Sequence, residues 1–78
     1  MSEERFKYLT EYVTAEVTRR LTIDNGMALD EAMLAFLNSE TFEKLSDIDT
    51  GLYIESPAYV YSLLQEEWKR GTLRSRGV

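Results

Sequence analysis

Seventy-eight residues are enough for one domain, close to the lower size limit for a self-sufficient core; the absence of Cys and His removes a disulfide framework and a structural zinc. A hydrophobic fraction of 44%, an aromatic fraction of 12% and a single Pro exclude a disordered tail. The net charge of −5 is unevenly spread: residues 1–23 sum to zero, residues 24–68 carry ten acids against Lys44 alone, and residues 69–78 carry Lys69, Arg70, Arg74 and Arg76 with no acid.

In residues 3–23, Phe6, Leu9, Val13, Val17 and Leu21 recur at steps of three and four, which predicts a helix with one apolar stripe. Thr10, Thr14, Thr18 and Thr22 form a second series at a strict step of four. Their hydroxyls can bond back to carbonyls one turn earlier, or the ridge can serve as a small-residue seam for another helix. Asp24-Asn25-Gly26 stops this helix, with Asn or Gly as the left-handed closing residue. Residues 28–38 read as a second helix with Leu29, Ala32, Met33, Phe36 and Leu37 on a broad apolar arc, Asp30 and Glu31 in its first turn and Ala28 as a poor cap. Ser39-Glu40-Thr41 is a fresh N-cap and first turn for a short helix ending near Ser46. Leu52-Tyr53-Ile54 reads as extended. Ser56-Pro57 starts a last helix that runs to about Arg70 and ends at Gly71, with Val60, Leu63, Leu64 and Trp68 on one arc and residues 71–78 as a mobile basic tail. The expected fold is all-α: one domain over residues 1–70, with three main helices, one short helix and an extended turn around residues 47–55.

Asp49-Thr50-Gly51 is the tripeptide of aspartic proteases, but those enzymes need two such loops in a β-rich frame so that two carboxylates share a proton. Here there is one, flanked by helical patterns. A calcium loop beginning at Asp47 fails because Gly51 falls at its fifth position, not its sixth, and Ala58 stands where a bidentate Glu belongs. A turn accounts for the stretch: Asp bonds its own backbone and Gly supplies positive φ. With no His or Cys and with four scattered glycines, the inventory for nucleophilic, metal or phosphate chemistry is thin, and neither catalysis nor a cofactor is expected. Glu66 and Glu67 point about 100° apart on a helix and do not face each other. Glu67 falls inside the apolar arc, where it either snorkels to solvent or meets a basic group across an interface.

The stretch NSETFEKLSDIDTGLYIESPAYVYSLLQEEW, residues 38–68, resembles a pattern in short uncharacterised bacterial proteins: Ser-x-Thr-aromatic, then Thr-Gly-Leu-aromatic, then Ser-Pro-x-Tyr. The matching residues are Ser39, Thr41, Phe42, Leu45, Thr50, Gly51, Leu52, Tyr53, Ser56, Pro57 and Tyr59. This resemblance implies a component of a small bacterial two-gene module, such as a toxin–antitoxin pair, and brings no established chemistry. Ala28 departs from the expected helix start, since Ser or Thr there would complete a capping box with Glu31.

A non-enzymatic helical interaction module is the function expected from these features. Six aromatic side chains, Tyr8, Tyr12, Tyr53, Tyr59, Tyr61 and Trp68, are too many to bury fully in so small a core, and Tyr and Trp at a surface are frequent interface anchors. The expected contact face holds Tyr53, Tyr59, Tyr61 and Trp68 with Glu67 and Arg70; the partner is another protein or a second copy of the chain, because self-association adds stability to small domains. One alternative is a DNA-binding antitoxin, although segments 28–38 and 40–46 carry acids and almost no Arg or Lys, so nucleic acid is not the expected partner. Another is an inhibitor whose acidic surface imitates nucleic acid. The acidic start MSEERFKY and the lack of a long apolar run point to the cytoplasm and away from a membrane.

Overall fold

The computed structural model describes the backbone of residues 3–77 and the side chains of residues 3–70. Among them there is no strand: the elements are α1 (Glu3–Asn25), α2 (Leu29–Leu37), α3 (Glu40–Leu45), two 3-10 turns (Ile48–Thr50 and Leu52–Ile54) and α4 (Pro57–Gly77). At 1.5 Å per residue α1 is about 35 Å long, so it accounts for most of the 39 Å long axis. It packs against α2 and against α4, while α3 bridges α2 to α4.

The stripe read from the sequence is the core. Val13, Val17 and Leu21 of α1 meet Ala32 and Phe36 of α2, Leu45 of α3, Leu52 and Tyr53, and Val60, Tyr61 and Leu64 of α4; Phe6, Leu9, Phe42, Leu63 and Trp68 seal the edges. Phe36 stands edge-on to Phe42 with ring centroids 5.4 Å apart. The threonine ridge bonds back as expected: Thr14 Oγ1 donates to the Thr10 carbonyl and Thr18 Oγ1 to that of Thr14, each at 2.8 Å, and Thr22 Oγ1 donates to Arg19 at 2.7 Å. Thr10 Oγ1 breaks the series, being buried with no partner.

The terminators act through their expected chemistry. Gly26 takes φ +67°, so the glycine and not Asn25 is the left-handed residue closing α1. Ala28 cannot cap with its side chain, but Glu31 Oε1 accepts from the Ala28 amide at 3.2 Å and supplies half of a capping box, so α2 starts at Leu29. Ser39 joins α2 to α3: its hydroxyl donates to the Phe36 carbonyl at 2.6 Å and accepts from the Phe42 amide at 3.0 Å. Ser56 Oγ accepts from the Tyr59 amide at 3.1 Å, the cap expected before Pro57.

Two boundaries correct the sequence reading. Leu52–Ile54 is a 3-10 turn, not an extended stretch. Extended neighbours point to opposite faces, whereas the turn buries the adjacent Leu52 and Tyr53 together and leaves Ile54 outside. Helix α4 also passes through Gly71 to Gly77. A glycine costs a helix interior about 1 kcal/mol relative to Ala, and no Pro follows it to stop propagation. The expected tail is thus helical as far as Gly77, and its side chains lie outside the described residues.

Candidate protein interaction surface

The residues expected to form one contact face are divided among three environments. Tyr53 and Tyr61, each 6% exposed, belong to the core, which corrects the expectation that they present an outer surface. The Tyr53 ring stands edge-on to Phe6, with centroids 4.8 Å apart. Tyr61 is buried with its hydroxyl satisfied, donating to Asp24 Oδ2 at 2.9 Å and so tying α4 to the end of α1. Trp68 is half-buried against the core. Tyr59 alone of the four aromatics is exposed, and Arg70 is exposed with a loose 3.9 Å ion pair to Glu66, a contact of little energetic weight.

Burial, with the Asp24 carboxylate as acceptor and neighbour, raises the Tyr61 hydroxyl above the ordinary tyrosine value of 10.0. The folded state therefore favours the neutral phenol. The stability this confers is fully present below pH 10 and is lost as pH rises through the higher folded value. Tyr61→Phe is expected to cost about 1 kcal/mol at neutral pH through the lost hydrogen bond. It should also remove this residue's part of the alkaline fall, so that urea midpoints of variant and parent converge as the pH is raised. An offset independent of pH would contradict this.

Glu67 neither snorkels to solvent nor awaits a basic group across an interface. Its carboxylate sits at the start of α3: Oε2 accepts from the Glu40 amide at 2.9 Å, and Oε1 accepts from the Thr41 amide at 2.8 Å and the Thr41 hydroxyl at 2.7 Å. With Ser39 accepting from Phe42, the first three amides of α3, which have no intrahelical partner, are all satisfied. The negative charge also lies at the positive end of the helix dipole. Glu67 and Arg70 share a small cleft of about 40 Å³ between α3 and α4 with Lys44 and Leu63.

Asp49-Thr50-Gly51 forms the exposed turn inferred from its composition. Asp47 Oδ1 accepts from the Asp49 amide at 3.0 Å, Gly51 takes φ +68°, and the Thr50 hydroxyl lies 2.6 Å from the Lys44 carbonyl and 2.9 Å from that of Asp47. It accepts in turn from the Leu52 amide. No group of acids among the described residues is arranged to hold a metal.

The face that stands open lies elsewhere. Helix α2 is apolar nearly all round: Ala32 and Phe36 point inward, while Leu29 and Leu34 are 64% and 61% exposed and Met33 and Leu37 are more than one-third exposed. Its only charges are Asp30 and Glu31. Between α2 and α1 runs a groove of about 340 Å³, walled by Met33 and Leu37 on one side, Thr10, Glu11, Thr14 and Ala15 on the other, and closed by Phe42. Tyr8 and Tyr12, both exposed, stand on α1 at helical spacing from Ala15. The apolar spacing of α2 was legible in the sequence, but one face of such an arc always reads as core; the signal available was that Leu34 falls opposite Ala32 and Phe36, where a surface helix normally carries polar residues. In comparisons with known proteins, no family model, no curated protein and no solved structure matches this chain. No described helix is long and apolar enough to cross a membrane.

Proposed function

We infer that this chain is a non-enzymatic interaction module whose contact surface is the outer face of α1 and α2. One observation carries the reading: a nine-residue helix, Leu29–Leu37, exposes four large apolar side chains beside an apolar groove. Exposed apolar patches of this size mark interaction sites. Catalysis has no comparable support, because the carboxylates that stand out are occupied structurally: Glu67 caps α3, and Asp47 and Asp24 bond within the fold. The outer face of α2 has acids and no base, which favours a protein over a nucleic acid as the partner. The resemblance of residues 38–68 to short uncharacterised bacterial proteins, which suggests a component of a two-gene module, agrees with a partner-binding role.

A photo-crosslinking amino acid placed at position 34, on the solvent side of α2, tests this reading in the native host. The expected result is a discrete adduct that disappears when Met33→Glu is added, since a charge in the groove wall would weaken apolar docking. Irradiation that yields no adduct, or one unaffected by the charge, would overturn it.

A further inference from the structure

We propose that the α1–α2 face is covered by a second copy of the same chain, with α1 packed antiparallel on the α1 of its partner about a two-fold axis at Ala15. The inference rests on the reading of this face as the contact surface and identifies its occupant.

Three observations lead there. The first is area. Tyr8, Tyr12, Leu29, Met33, Leu34 and Leu37 are 36–66% exposed. At about 200 Å² for a large side chain they present roughly 600 Å², against about 800 Å² per partner in a standard interface. Ala15, the groove threonines and the stems of Glu11 and Arg19 can supply the remainder.

The second is charge register. Along α1, Lys7, Glu11, Ala15 and Arg19 lie at a step of four and so form one ridge. Glu11 and Ala15 wall the groove, and Arg19 is exposed on the same ridge. In an antiparallel pair centred on Ala15, positions equally far before and after the centre face each other. Glu11 of each copy therefore meets the partner's Arg19, giving two opposite-charge pairs from one symmetric contact. Arg19 already touches Glu16 of its own chain at 3.1 Å, yet its side chain is 57% exposed and can accept a second carboxylate neighbour.

The third is shape. The residue on the axis is Ala15, the smallest side chain on the ridge, so the helices can approach until their side-chain rows interlock. Tyr8, seven residues before the centre, then lies over the partner's Thr22, at the end of α1 from which its α2 begins. A dimer also suits the energetics, since a chain of 78 residues has a small core and gains stability by mass action.

Sedimentation equilibrium of the full chain over micromolar to sub-millimolar loading is the test. The expected mass tends to twice 9.1 kDa as concentration rises. Ala15→Glu, at an exposed helical site, is expected to weaken association at least tenfold while leaving the far-UV circular dichroism unchanged. Glu11→Arg and Arg19→Glu should each weaken the dimer, and the double variant should recover most of the loss, because both pairs are then reversed together. A parent chain that stays monomeric, a dimer indifferent to Ala15→Glu, or a double variant no better than the singles would overturn the proposal. Failure here is distinguishable from failure of the interaction reading: an adduct at position 34 containing a different protein would retain the surface and reject the second copy.

Discussion

Phe36→Ala is expected to remove a large part of the chain's stability and to lower its urea midpoint sharply. Phe36, on α2, has no exposed surface and lies in the core with Val13, Val17 and Leu21 of α1, the Phe42 ring edge-on to its own. Truncating such a ring typically costs about 3–5 kcal/mol, through lost transfer free energy plus the cavity left behind. A domain of this length has a net stability of roughly 4–12 kcal/mol, the small remainder left after chain entropy has offset most of the gain from burial. The loss is thus from about a quarter of that stability to all of it. Urea denaturation followed by circular dichroism would show a midpoint displaced to low denaturant or an absent folded baseline. Phe36→Leu, which retains most of the volume, should lose about half as much or less. Equal and small effects for both would mean that this position can collapse around a void, contrary to the packing described.

The second large effect is expected at Glu67. Glu67→Ala leaves the Glu40 and Thr41 amides and the Thr41 hydroxyl without their shared acceptor, and Thr41 is buried. Hydrogen bonds to a charged group contribute about 1.5–3 kcal/mol, and unmet buried donors add a desolvation cost, so a loss of about 2–3 kcal/mol follows. The effect should also be local. Amide exchange at Glu40 and Thr41 should accelerate by more than the global loss of stability predicts, while Val17 and Leu21 in the middle of α1 report only the global change. Glu67→Gln keeps an acceptor oxygen but loses the charge at the helix dipole, and is expected to fall between parent and alanine variant. A variant as stable as the parent would show that α3 holds its amides without this carboxylate.

Local chemistry carried most of the fold in the sequence. The steps of three and four through Val13, Val17 and Leu21, the Ser39 and Ser56 caps, and the glycine turns at Gly26 and Gly51 each depend on neighbours within four residues, and each is found in place. Long-range features were not legible. Tyr61 reads as a surface anchor until Asp24, 37 residues away, is seen to receive its hydroxyl. Tyr53 likewise buries only because Phe6 meets its ring and the 3-10 turn directs it inward. Glu67 was noticed as an acid in an apolar arc, but its function requires knowing that α3 begins beside α4. The exposed leucines of α2 show the converse: a helix that is apolar all round reads as buried, and only the placement of its neighbours reveals an uncovered side.

The carboxylate that completes α3 has a consequence for how the chain is made. A six-residue helix cannot nucleate by itself, and two of its starting amides wait for an acceptor 26 and 27 positions later in translation. On the ribosome, residues 40–45 would therefore remain uncommitted until position 67 has emerged. Helices α1 and α2 would already be synthesised by then, with core side chains such as Val17 and Phe36 still uncovered, so the nascent polypeptide would pass through a stage in which a greasy hairpin is available to chaperones before the latch on α3 can close.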